Sequence, residues 1–125
     1  MALWLKENGF EESNDVHYVW ADTGWEHPVL YQYIEDTVKP LLGERFHRVV
    51  SKKYPGGMPD LVVSKGAMPS RMSRFCTEQL KKLPIRDYIR ELGNDPLPIN
   101  AVGIRAAESK ARSKMDRWEP GSILD

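Results

Sequence analysis

Apolar and polar positions divide the chain into short stretches whose periodicity switches between strand-like and helix-like. Val16 to Ala21 is rich in Val, Tyr and Trp and runs into Asp22-Thr23-Gly24, the pattern of a buried strand ending at a polar loop. Pro28 suits the first position of a helix. Leu30, Ile34, Val38 and Leu41 then recur at three- and four-residue spacing before Gly43, which predicts a helix from Pro28 to Leu42. Phe46 to Ser51 predicts a second strand, and Tyr54-Pro55-Gly56-Gly57 with Pro59 predicts turn or loop. Ser70 to Leu83 and Ile85 to Leu92 read as helices bent or divided at Pro84 and closed by Gly93-Asn94. At the start, Ala2 to Lys6 reads as a helix tail closed by Asn8-Gly9. Toward the end, Pro98 to Ile104 predicts a third strand. A basic helix follows, with Arg105, Ser109 and Arg112 near one face.

Strands alternating with helices predict one α/β domain over residues 1–125, with a mainly parallel sheet flanked by helices. In such sheets ligands bind outside the carboxyl ends of the strands, where Asp22-Thr23-Gly24 and Gly103-Ile104-Arg105 lie. No apolar run is long enough to predict a membrane span. Eighteen basic and eighteen acidic side chains cancel, so any anion site must be local. The same balance argues against direct nucleic-acid binding through Arg105, Lys110, Arg112, Lys114 and Arg117. The single cysteine, Cys76, excludes an intrachain disulfide framework and fits a reducing cytoplasm. The first ten residues lack the basic leader and apolar core of a signal peptide.

Three clusters could carry chemistry. Asp22 to Pro28 joins a strand end to a helix start, where free N–H groups favour an anion; Asp22 or Thr23 capping the turn is the alternative. Arg71, Arg74, Lys81 and Lys82 surround Cys76. Guanidinium groups there would bind phosphate or sulfate, whereas a solvated basic face with a small buried cysteine is the plainer account. Gly103 to Arg112 sets two arginines about two turns apart on one helix, a spacing that would bracket a polyphosphate or phosphosulfate. An amphipathic helix with a Glu108–Arg112 pair explains the same residues.

Taken in order, three motifs resemble the phosphoadenosine phosphosulfate reductase family, within the adenine-nucleotide α-hydrolase-like ATP pyrophosphatases. They are Ala21-Asp-Thr-Gly-Trp-Glu-His-Pro28 with Tyr31 to Glu35; Arg74-Phe-Cys-Thr-Glu-Gln-Leu-Lys81 with Lys82-Leu-Pro-Ile85; and Ala101-Val-Gly-Ile-Arg-Ala-Ala-Glu-Ser109 with Ala111-Arg-Ser-Lys-Met115 and Trp118-Glu119. The resemblance implies a nucleotide site for ATP or phosphoadenosine phosphosulfate. Asp22, Thr23 and Gly24 would line it, Arg74 and Lys81 would face anionic groups, and Gly103, Ile104 and Arg105, with Arg112, would border the nucleotide.

It also implies a Ser-Gly-Gly-Lys-Asp-Ser type loop after the first strand and a Glu-Cys-Gly type segment near the end, and neither motif occurs in this sequence. The expectation is therefore a fold lacking its first strand, with altered or lost catalysis. A second copy or a protein partner would cover the exposed sheet. The alternative is a non-catalytic phage or mobile-element protein that binds and inhibits a host nucleic-acid-processing complex.

Overall fold

The computed structural model describes residues 1–93, 98–103, 107, 110 and 112–116. Two short helices, α1 (Ala2–Glu7) and α2 (Phe10–Ser13), precede strand β1 (Tyr18–Ala21). Helix α3 (Pro28–Tyr33) continues through a π turn, Ile34–Val38, into α4 (Lys39–Leu42), and strand β2 (Phe46–Val49) follows. Helix α5 (Met58–Lys65) comes next. Then α6 (Phe75–Thr77) continues through a second π turn, Glu78–Lys82, into α7 (Leu83–Leu92).

Strands β1 and β2 pair in parallel, Tyr18 opposite Phe46 through Ala21 opposite Val49, and α7 packs against both. The chain is therefore α/β with a small parallel sheet, two-stranded among the described residues. No helix among those residues is long and apolar enough to cross a membrane.

Two of the three predicted strands form, over Tyr18–Ala21 and Phe46–Val49, and the helix from Pro28 to Leu42 spans its expected range. The π turns explain how prolines sit inside continuous helical segments. Pro40 and Pro84 each lack the N–H that would reach back one turn, and each ring crowds the carbonyl four residues earlier. A wider turn ending two residues before each proline relieves that crowding, so Pro84 does not divide its helix.

Three expectations differ from the structure. Ser70 to Arg74 is not helical: Ser70 Oγ accepts from Ser73 N–H at 3.1 Å and Ser70 N–H donates to Ser73 O at 3.0 Å, a local closure that competes with helix. Pro59, read with Tyr54 to Gly57 as turn or loop, instead lies in the first turn of helix α5 (Met58–Lys65), with Asp60 beside it and Gly66 as a left-handed cap. Residues 98–103 of the expected third strand are irregular and exposed, Ile99 at 78% and Val102 at 61%; β-prone residues without a partner strand or a buried face do not form one. Ile104 lies outside the described residues. Of the basic helix expected after it, Arg112–Lys114 forms a 3₁₀ turn, and residues 105, 106, 108, 109 and 111 lie outside the description.

The main core cluster joins α5 to the α6–α7 segment. Leu61 and Leu80, both fully buried, meet Tyr54, with Met58, Phe75 and Cys76 packed against them. Cys76 thus serves as a small apolar filler, the plainer of its two sequence readings.

A polar joint ties the amino ends of the strands to α7. The His17 and His47 rings stack 5.0 Å apart, and the Tyr88 hydroxyl lies 2.7 Å from His17 Nδ1. Nearby, Tyr18 donates its hydroxyl to Glu11 at 2.7 Å, and burial together with that bond pushes the phenol pKa up to about 12. Arg45 straps the same end by donating to the carbonyls of Glu11 and Val16.

Truncating Leu61 or Leu80 to Ala is expected to lower unfolding free energy by about 2–5 kcal/mol in urea titrations, since neither site is exposed enough for water to replace the lost contacts. A second expectation concerns pH. Burial lowers the His47 pKa below 6.5, and the neighbouring His17 lowers it further against the opposing charge of Asp15. The unfolded chain therefore takes up a proton before the folded chain does, so stability present above the ordinary histidine value declines as pH falls below it. Thermal melts should show Tm dropping between about pH 7 and about pH 5.5, and His47→Gln should flatten that drop.

Candidate functional site

The carboxyl ends of the two strands carry the candidate site. Asp22 stands one residue beyond β1, and its N–H still donates to Val49 O at 2.9 Å, so the ladder fixes its backbone. Its side chain turns inward and is only 1% exposed.

Asp22 Oδ1 accepts from Gly24 N–H and from the Tyr31 hydroxyl, both at 2.8 Å. Asp22 Oδ2 accepts from Arg48 Nε at 2.8 Å and from Arg48 Nη2. A carboxylate offers about four lone-pair sites, and four donors from the chain fill them. Burial alone would raise the Asp22 pKa. The bonds from Gly24, Tyr31 and Arg48, with the guanidinium charge, outweigh burial and hold it below 3.8. On the other side of the bond from Tyr31, burial and the carboxylate raise the phenol pKa.

Register brings these groups together. Arg48 pairs opposite Trp20 in the sheet, and its guanidinium carbon lies 5.9 Å from the Trp20 ring centre. Tyr31, one turn into α3, meets Trp20 edge-on at 5.9 Å. Helix α3 enters at Pro28 with His27 capping it, Val29 N–H donating to His27 Nδ1 at 3.2 Å.

The turn at Thr23-Gly24 is clamped from below by the glycine pair that precedes α5. Thr23 O accepts from Met58 N–H at 2.7 Å, and Thr23 Oγ1 donates to Glu26 Oε1 at 2.8 Å. Gly57 adopts φ 72°, and a Cβ there would lie 2.2 Å from Thr23 O, so only glycine fits. Thus Gly56-Gly57 serves to buttress the first loop.

Of the residues singled out from sequence, Asp22, Thr23 and Gly24 come together here, the first two buried and Gly24 exposed. Arg74 is exposed immediately before α6, and Lys81 is exposed in the second π turn. Among the described residues, neither takes part in the bonds around Asp22. Gly103 is exposed in the irregular segment, and Arg112 is exposed but engaged with a partner. Ile104 and Arg105 lie outside the described residues.

Sequence reasoning missed Arg48 and the Gly56-Gly57 clamp, and it placed Tyr31 in the first motif without a role for its hydroxyl. A lone arginine inside a β-rich run and paired glycines ahead of Met-Pro-Asp were the available signals. An open cavity of about 450 Å³, lined by Asp15, Val16, His17, Glu44, Arg45 and His47, lies at the opposite, amino end of the strands. Its charged groups largely bond one another or the backbone, as Arg45 with Asp15 and Asp15 with His17 do, so the carboxyl end remains the better candidate.

Two variants test this geometry. Gly57→Ala should destabilise the fold strongly or prevent it, since the added carbon meets backbone rather than a movable side chain; calorimetric melting measures the effect. Asp22→Asn should remove an acid-sensitive part of stability. Because the folded pKa is lowered, Asp22 stabilises above its ordinary value of 3.8 and loses that contribution as pH falls through the folded value. Wild type and variant should therefore differ most near neutrality and converge in acid titrations followed by circular dichroism.

The family described as "Phosphoadenosine phosphosulfate reductase domain" matches residues 3–122. The chain is 33% identical over 129 residues to a nin region protein, ORF290, of Escherichia phage lambda, covering 86% of this chain and 44% of the relative. It is 38% identical over 80 residues to a 37.8 kDa protein in the gpa 5′ region of Escherichia phage 186, covering 61% of this chain and 24% of the relative. The chain thus spans less than half the length of either relative. No solved structure matches it. With its three motifs in order and the match running across nearly the whole chain, the protein belongs to the phosphoadenosine phosphosulfate reductase domain family.

Proposed function

We propose that the carboxyl end of the parallel pair forms part of an adenine-nucleotide site for ATP or phosphoadenosine phosphosulfate, in a protein whose catalysis is altered or lost. The observation that carries this reading is the Asp22-Thr23-Gly24 turn. It is fixed by Arg48, Tyr31 and the Gly57 clamp at the sheet end where α/β folds take ligands, in a chain of this family. Arg74, Lys81 and Arg112 supply cations for phosphate or sulfate, and Gly103, Ile104 and Arg105 complete the nucleotide border.

A second reading draws support from the matched relatives being phage proteins. On this reading the domain serves as a non-catalytic binding module that blocks a host nucleic-acid-processing complex. Either way, a second copy or a protein partner would cover the edges that the described residues leave open on the two-stranded sheet.

Calorimetric titration with ATP and with phosphoadenosine phosphosulfate tests the first reading, with Arg105→Ala and Arg74→Ala alongside. Saturable binding that weakens by roughly tenfold or more in both variants is expected. Folded protein that gives no heat with either ligand at roughly millimolar concentration would overturn it and turn attention to macromolecular targets.

A further inference from the structure

Asp22 is the residue that sequence most readily offers to a ligand, yet its carboxylate is enclosed and all four of its acceptor positions are occupied by the chain. The group it holds is different in kind. Arg48 is half exposed, and its Nε and one Nη donate to Asp22, while a guanidinium carries about five N–H donors in a planar fork. Among the described residues, no other side chain takes a hydrogen bond from it. The Trp20 ring beside it and the carboxylate behind it restrict the rotamers of a side chain that would otherwise be mobile.

We propose that Arg48 is the side chain that grips a phosphate or sulfate group of the nucleotide, and that Asp22 is a positioning residue acting through Arg48. This rests on reading the carboxyl end of the strands as the nucleotide site. A guanidinium already held in place loses little freedom when an anion arrives, and its remaining N–H groups match tetrahedral oxyanions in a bidentate manner. Asp22 offsets part of the Arg48 charge, but an anion in contact with the remaining N–H groups lies nearer the guanidinium than the carboxylate, so both directed hydrogen bonds and local charge hold it.

The test is calorimetric titration of wild type, Arg48→Gln and Arg48→Lys with ATP across a range of salt concentrations, with folding verified by circular dichroism. Arg48→Gln is expected to weaken ATP binding about tenfold or more and to make the remaining affinity fall less steeply with salt. Arg48→Lys keeps the charge without the fork and should lie between. Unchanged affinity overturns the proposal, as does a loss with an undiminished salt dependence, which would show that Arg48 only holds the turn. If Arg48→Gln does not fold, Arg48→Lys decides: a several-fold loss of ATP affinity supports the proposal and wild-type affinity overturns it. Wild type that binds neither ATP nor phosphoadenosine phosphosulfate removes the nucleotide reading and this proposal with it, and wild type that binds only the latter is taken through the same variants with that ligand. Wild type that binds ATP alongside variants of equal affinity removes the assignment of Arg48 alone.

Discussion

A buried carboxylate with every acceptor position filled is the constraint on which the carboxyl end of this sheet depends. Asp22 lies beyond the last strand pair and out of water, so it requires partners, and those partners come from three separate places in the chain. Gly24 bends the loop back, Tyr31 ties in the helix that follows, and Arg48 ties in the neighbouring strand. Breaking one bond would leave a buried charge short of donors, which costs more than the bond contributes when formed. The site is therefore a consequence of satisfying one residue.

The clamp below it works by exclusion of volume. Thr23 and Gly57 approach so closely that no side chain fits between them, and the first free N–H of α5 is used to hold Thr23 O. Helix α5 in turn is anchored through Leu61 to the core it shares with Leu80. Packing among apolar residues is thus transmitted to the turn by backbone contact.

Local chemistry made part of this legible in the sequence. The strand at Tyr18–Ala21 and the helix starting at Pro28 follow from β-prone residues, spacing and a well-placed proline. Helix α5 did not, because two glycines and a proline read as loop when their role as an entry to a helix depends on what the glycines touch. Residues 98–103 show the reverse error: β propensity is satisfied only against a partner edge, and among the described residues they are exposed and pair with none. Arg48 was out of reach for a third reason. Its position beside Asp22 comes from the pairing of Trp20 with Arg48, a relation between strands that no single stretch encodes.

The π turn before Pro40 carries a consequence for how this helix presents its faces. In an unbroken α-helix, residues eight apart point about 80° away from each other. Absorbing one extra residue turns everything downstream back by about 100°, which sets Ile34 and Leu42 within about 20° of a common line. Both are buried. The wide turn is therefore a phase correction: it brings two apolar positions that would drift apart around the cylinder back to one side of the helix.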